Sequence, residues 1–534
     1  MLNKAAALCV ATALAGLTAC TSLHEPKHVY ELPDYTEEDV RNAEIQRIAE
    51  LKKKDAVQAL WRATLLGDEP TIAACTDAVV SEYTAAVESS DWFSALRLYK
   101  SLAASGYKEC ASLAKSDAEL ATLTAADVPG LLRTDNAAEA SKKVSSFIQG
   151  TVTIWVDKGL KVERGMGYAD RVIGSGFFIS QNGYIITNHH VIADLVDTKY
   201  EGYARLYIKL ANDSDTRIPA KVIGWDSVID LALLKAEIDA PYVFQLGSSA
   251  DLDVGDSIYA IGSPVGLERT LTKGIVSATD RKLFTTGSVM QIDAAINSGN
   301  SGGPCIDANG FVQAIAFAGM LQYEGLNFAI PVEYLKAVLP ALYHGGKVSH
   351  PWLAAYGHTK RELGASAGLE VQYVMPGGGA NRAQLNTGDV ITALDGVPIT
   401  TLEGLQDILL HYGAKTIVSV SARTAEGEDV QRLIYLAERP ATPGYTVYQN
   451  DLIASSFVPI LGMKLINVSS FNSRKYSIQS IIRGSTADET GFSENDFVNV
   501  QGVEFNADHT AAYITIYAKQ RKKGYLDGAE MASQ

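Results

Sequence analysis

Five cysteines in 534 residues are too few for a disulfide scaffold, so the fold has to rest on buried apolar surface. No group of histidine, cysteine and acidic residues has metal-ligand spacing, and no glycine-rich phosphate loop opens a helix; no metal and no cofactor are expected. Basic residues number 46 against 61 acidic ones, a net charge of -15, with no basic stripe. Nucleic acid is therefore not an expected partner. Beyond the N-terminus no apolar run is long enough to span a membrane. What is present is ordinary globular material, 47% hydrophobic and 20% charged, in a chain too long for one core. Three or four domains are expected.

The N-terminus stands apart. Lys4 precedes an alanine-rich apolar run over residues 5–17, which ends in Leu17-Thr18-Ala19-Cys20. A short apolar run closed by small residues is an export signal rather than a spanning helix. Its ending resembles the bacterial lipobox, which implies cleavage before Cys20 and a lipid anchor on that thiol. A plain secretory signal with an incidental cysteine is the other reading. Cys9 leaves with the signal, and Cys305 reads as a small buried apolar residue. A bond between Cys75 and Cys110 stays open, since sequence does not give their separation.

Residues 293–304 carry the strongest chemical signal. Gly299-Asn300-Ser301-Gly302-Gly303 surrounds one serine with residues that let backbone bend sharply and approach a ligand. A nucleophilic serine needs this, because its own N–H and that of Gly299, with Asn300 between them, must converge on a developing oxyanion. Two partners lie upstream. Residues 174–180 and 184–188 read as strands joined at Gln181-Asn182-Gly183, with His189-His190-Val191 closing the second. Neighbouring strand side chains face opposite ways, so one of the two histidines faces a cleft. The acid is Asp230, at the mouth of the apolar strand Leu231-Ala232-Leu233-Leu234; Asp226 reads as a residue of a solvated turn.

The order His, Asp, Ser and these strings resemble the trypsin-like fold, specifically the HtrA/Deg family of bacterial serine proteases. Thr187-Asn188-His189-His190-Val191 resembles the family's Thr-Asn-x-His-Val pattern, which points to His190. Asp230-Leu231-Ala232-Leu233-Leu234-Lys235 and residues 297–303 match its acid and serine patterns. Thr272-Lys273-Gly274-Ile275-Val276-Ser277 and Leu326-Asn327-Phe328-Ala329-Ile330-Pro331 are also similar to family strings, so the likeness covers roughly residues 145–345. The resemblance implies a mainly β protein: a trypsin-like double β-barrel, α/β PDZ modules and, in this chain, an N-terminal α-helical domain.

The expected boundaries are a lipoprotein signal at 1–19, a helical domain and linker at 20–140, the protease at 141–345, a PDZ domain at 346–440 and a second, degenerate PDZ-like domain at 445–534. Thr36-Glu37-Glu38-Asp39 resembles a capping box, and Asp91 is placed to cap a helix carrying Phe93, Leu96, Tyr99 and Leu102. This region reads equally as an interaction module or as a spacer between membrane and protease. Leu385-Asn386-Thr387-Gly388-Asp389-Val390-Ile391 and Asp395-Gly396 resemble the PDZ modules of the family, whose carboxylate loop corresponds to Trp352-Leu353-Ala354-Ala355. Such modules add a peptide as an extra strand and hold its C-terminal carboxylate. Family members carry Gly where Ala354 stands, which puts carboxylate capture in doubt. The basic run at 519–523 reads as a solvated turn.

The resemblance implies acyl transfer with His190 as base, Asp230 orienting it and Ser301 attacking. Digestive relatives have Asp at the position of Asn300, paired with a new N-terminal amine. A neutral Asn argues against activation by trimming. The base of the S1 pocket falls at Ala295, with Leu326 and Phe328 narrowing it, so small to medium aliphatic residues are the expected cleavage sites. Those side chains are buried in native proteins, which points to unfolded or damaged substrates; the resemblance implies a role in protein quality control in the cell envelope. A PDZ-based scaffold or chaperone-like lipoprotein with latent activity is the alternative. Family members commonly form trimers; Phe147 and Trp155 are candidates for that contact and equally for the core.

Overall fold

A computed structural model describes residues 26, 28–131, 144–163, 166–196, 204–213, 215–263, 269–281, 287–319, 326–362, 364–469, 474–520 and 524–533. The signal and Cys20, and residues 521–523 of the basic run, lie outside them.

Five helices come first: α1 (Glu38–Lys52), α2 (Ala56–Leu66), α3 (Glu69–Glu88), α4 (Trp92–Ala104) and α5 (Asp117–Asp127). Short polar side chains start most of them. Asp55, Asp68 and Asp91 accept the N–H groups of Gln58, Thr71 and Ser94, and Ser116 with Glu119 forms a full capping box. Each such cap is worth about 1 kcal/mol. The box expected at Thr36 does not form. Thr36 Oγ1 donates to Asp34 Oδ1 at 2.7 Å, and α1 starts after Glu37 without a side-chain cap. Cys75 and Cys110 are both free thiols.

The helices do not stand alone. Trp61, Leu60, Tyr83 and Leu102 share one core with Ile417 and Tyr435 of a sheet more than three hundred residues later. Trp61 Nε1 donates to the Leu433 carbonyl at 2.8 Å, and Tyr435 OH donates to Asp55 Oδ2 at 2.6 Å.

After α6 (Val144–Gly150) the chain becomes β. Strands β1 (Thr151–Glu163), β2 (Met166–Phe178), β3 (Tyr184–Thr187), β4 (Arg205–Lys209), β5 (Ile218–Asp226) and β6 (Leu231–Ala236) run in the order β5-β4-β1-β2-β3-β6. Pairing of β5 with β6 closes them into a first barrel. Strands β7 (Ser257–Gly262), β8 (Thr270–Arg281), β9 (Val289–Ile292), β10 (Pro304–Ile306), β11 (Val312–Gly319) and β12 (Asn327–Pro331) close a second, in the order β10-β11-β12-β9-β8-β7. Closure removes exposed strand edges.

Helix α7 (His189–Val196) follows β3 directly, so His189 and His190 open a helix rather than close a strand. The β3–β6 ladder ends at Thr187↔Ala232, beyond which strand alternation no longer governs. Helix α8 (Val332–His344) buries Val332, Leu335, Val338, Leu339 and Leu342 in the cluster shared with both barrels, at about 1.5–3 kcal/mol per side chain. Phe147 belongs to that core, 5.7 Å from Tyr242 and 6.0 Å from Phe244. Trp155 stacks on Tyr207, with the Arg171 and Lys209 cations against its ring.

A short strap leaves the barrels. Strand β13 (Gly346–Lys347) pairs parallel with β5, and β14 (Pro351–Trp352) pairs with β20 (Asp429–Glu438) of the next sheet. That sheet also holds β15 (Ala355–Glu362), β16 (Ala365–Val374), β17 (Val390–Leu394), β18 (Val397–Pro398) and β19 (Thr416–Arg423), with helices α9 (Gly379–Arg382) and α10 (Leu402–Leu410). Helices α11 (Pro443–Asn450) and α12 (Ile453–Leu461) follow β20. They lead to a five-stranded sheet β21 (Met463–Asn467), β22 (Lys475–Ile481), β23 (Phe497–Phe505), β24 (Ala512–Gln520) and β25 (Gly524–Ser533), with α13 (Thr486–Thr490) between β22 and β23.

Candidate active site

His190, Asp230 and Ser301 come from three separate places. His190 lies in the first turn of α7, Asp230 at the end of the β5–β6 turn, and Ser301 on the loop between β9 and β10. Asp230 engages His190 twice: Oδ2 meets Nδ1 at 2.7 Å, and Oδ1 accepts the His190 backbone N–H at 2.7 Å. Asp230 adopts a left-handed backbone, φ 56, and Asn188 Nδ2 donates to its carbonyl at 2.8 Å. Ser301 Oγ donates to the Phe317 carbonyl at 3.1 Å, not to His190, and the Phe317 ring stands edge-on to the imidazole.

The serine loop is fixed from beneath. Gly299 has φ 103 and the Asn300 N–H donates to Asn297 O at 2.9 Å, a turn whose third residue needs positive φ. Among the described residues neither the Gly299 nor the Ser301 N–H donates to any group, so both amides remain for a ligand oxygen. Their carbonyls are occupied: Ser175 Oγ donates to Gly299 O at 2.6 Å and Ser175 N to Ser301 O at 2.8 Å. Ser175 Oγ accepts the Ser263 N–H at 3.0 Å, Ser263 Oγ pairs with Thr153 Oγ1, and Thr187 Oγ1 donates to Ser175 O. All four side chains are buried. Sequence reading missed this network; the one available signal was single small polar residues, Ser175 and Thr187, inside otherwise apolar strands.

Ala295 is exposed, Leu326 partly exposed and Phe328 buried. Their two segments are tied together by Asn327 Nδ2, which donates to Ala294 O at 2.9 Å. In the third sheet Trp352 pairs through β14, Leu353 enters the core, and Ala354 takes the left-handed backbone, φ 58, that glycine would occupy without strain. Its Cβ is accommodated because Gly378 lies opposite, where a second Cβ would fall 2.5 Å away. Ala355 opens β15, the outer strand of the sheet, beside α10. Ala354 also packs with Val447 of α11 and Val458 of α12, so this loop is covered from the C-terminal side.

Family models match along the chain: a domain of unknown function (DUF8517) at 39–124, a trypsin-like peptidase domain at 174–315, a PDZ domain at 355–422 and a TP0546 family PDZ domain at 444–532. A probable periplasmic serine endoprotease DegP-like of Pseudomonas fulva (strain 12-X) is 41% identical over 286 residues, 51% of this chain and 57% of the relative. The chain thus spans little more than half the length of the first relatives it matches. One of Marinomonas sp. (strain MWYL1) is 33% identical over 345 residues, 61% of this chain and 70% of the relative. The chain belongs to the HtrA/Deg family of serine proteases. Among solved structures, an HtrA-type protease AlgW with decapeptide is 27% identical, with a TM-score of 0.47 over 57% of this chain and 99% of that one.

Two further polar side chains of this HtrA/Deg chain, near Asp230 and Ser301 in sequence, are buried. Asp226, read as solvated, is fully buried: its Oδ2 lies 2.7 Å from His350 Nε2, and Oδ1 accepts the Val228 and Ile229 N–H groups. Asn300 is buried too, and its Oδ1 has no partner among the described residues. Cys305 is fully buried, which pushes its thiol up to about 12 and leaves it inert beside the serine.

His189 is the second histidine of this HtrA/Deg site. Burial pushes its imidazole below the ordinary value, against the opposing pull of Asp230 and Asp226. The unfolded chain then binds more protons at this residue once pH falls below about 6.5. The stability it supports is complete above that pH and declines as pH drops through the folded value. Melting temperature should therefore fall between pH 7.5 and 5.5, and His189→Gln should flatten part of that slope. An unchanged slope would remove His189 from the account.

Proposed function

We propose that the chain is an exported serine endopeptidase, lipid-anchored through Cys20 in the bacterial cell envelope, that cleaves unfolded or damaged proteins after small to medium aliphatic residues. The observation that carries this reading is the twofold grip of Asp230 on His190, together with a serine whose own N–H and that of Gly299 are unengaged among the described residues. In the reaction His190 removes the Ser301 proton, Asp230 stabilises the imidazolium, and the Gly299 and Ser301 amides receive the oxyanion. His190 then protonates the leaving amine, and water repeats the sequence on the acyl-enzyme.

Substrate peptides are expected to add to β15 as an extra strand, with Ala354 and the covering helices limiting carboxylate capture. Relatives described as periplasmic support the compartment. A homotrimer is part of this reading, with Trp155, the more exposed of the two candidate aromatics, as the contact to test. One observation favours a second reading, a scaffold with latent activity: Ser301 Oγ is turned to the Phe317 carbonyl instead of His190. Full-length protein and its Ser301→Ala variant incubated with reduced casein separate the two. Cleavage at aliphatic sites by the wild type alone supports the protease, and Ala295→Asp should add cleavage after Lys and Arg. Binding of casein without cleavage by either protein favours the scaffold.

A further inference from the structure

A second histidine–aspartate pair lies behind the first. Asp226 ends β5, and the chain reaches Asp230 through one turn before β6 begins. Both oxygens of Asp226 are used. Oδ1 holds the Val228 and Ile229 N–H groups at 2.9 and 3.2 Å, and Oδ2 is gripped by His350 Nε2 at 2.7 Å. The turn these bonds hold delivers Asp230 in a left-handed conformation, which a residue with a Cβ keeps only when its surroundings enforce it. His350 comes from outside the barrels, on the strap between β13 and β14. That strap is tied to the protease by the Val348 N–H on Trp225 O at 2.8 Å, and to the PDZ sheet by the Arg439 N–H on His350 O at 2.8 Å.

We propose that Asp226 and His350 are positioning residues for the catalytic acid, so that the strap joining protease and PDZ sheet sets the geometry of the triad. The physical reason is the burial of the pair. His350 is 7% exposed and Asp226 0%. A buried carboxylate stripped of one donor does not stay in place; it turns toward another, and the charged or titratable neighbours acting here are Arg439 and His189. Turning would release the Val228 and Ile229 amides and free Asp230 from the conformation that meets the His190 backbone N–H and Nδ1.

This inference rests on the protease reading, and its test separates the two. Full-length wild type, His350→Ala, His350→Gln and Asp226→Asn are compared on an unfolded substrate, with backbone hydrogen exchange followed over residues 226–231. His350→Ala should lower kcat by about 10- to 100-fold, as a roughly 1 Å misplacement does, with KM within about twofold. His350→Gln should recover most of the loss, since its amide N–H can reach Asp226. Exchange at 226–231 should quicken in His350→Ala and Asp226→Asn but not in His350→Gln. An unchanged or raised kcat, a loss carried by KM, or failure of Gln to rescue overturns the proposal. If the wild type cleaves nothing, the protease reading fails, and the exchange result alone decides whether His350 holds the turn.

Discussion

Ser301→Ala is expected to lower kcat/KM on an unfolded substrate by at least ~10⁴-fold, and His190→Ala combined with it should cost almost nothing more, because the two act as one unit. Asp230→Asn is the sharper test. In this site Asp230 must satisfy two donors at once, the His190 backbone N–H and Nδ1–H, each at 2.7 Å. An asparagine has one carbonyl oxygen. If that oxygen keeps the backbone N–H, its NH₂ faces Nδ1 and forces the imidazole proton onto Nε2, the nitrogen that has to accept from Ser301. The imidazole is then the wrong tautomer, and a loss of about 10⁴-fold in kcat follows while substrate binding is kept. Steady-state kinetics on a fluorogenic aliphatic peptide checks both. Retention of activity within tenfold in Asp230→Asn, or a multiplicative loss in the double variant, would remove Asp230 or the unit from the mechanism.

The parts of this site that sequence revealed are those whose requirements are local. Gly299 and Gly302 are glycines because their own φ angles, 103 and 86, demand it, and they announce the serine between them. What sequence hid depends on partners far along the chain. Asp226 next to Ser227 looks like a surface turn until His350 arrives 124 residues later. Ser175 looks like strand filler until Gly299, also 124 residues away, accepts its hydroxyl. The helical region gave no sign that Trp61 would close on Leu433. The strand reading of His189-His190 failed for a different reason: Val191 and Ile192 continue the apolar run, and alternation alone does not mark where β3 gives way to α7. The choice of His190 came from the family string.

Gly302→Ala carries the second large effect. A Cβ there would lie 2.3 Å from Ser175 O and 2.4 Å from Thr187 Oγ1, on a backbone with φ 86. Neither neighbour can retreat cheaply. Thr187 Oγ1 donates to Ser175 O at 2.8 Å, and both residues are fully buried in paired strands of the first barrel. The serine loop is therefore the part that moves, breaking the Gly302 N–H bond to Ala316 O and pulling Ser301 O from Ser175 N. A displacement near 1 Å at the nucleophile corresponds to about 10²-fold in rate, and the loop strain adds about 1–3 kcal/mol of lost stability. Gly427→Ala separates clash from backbone strain: its φ is 93, but nothing lies within 4 Å of the added carbon. That control should cost about 1–2 kcal/mol in stability and leave kcat/KM alone. Melting temperature and kcat/KM measured on both variants decide the matter. If Gly302→Ala loses no more activity than Gly427→Ala, the loop is held less rigidly than its buried supports imply, and the preorganised oxyanion site has to be assembled by substrate instead.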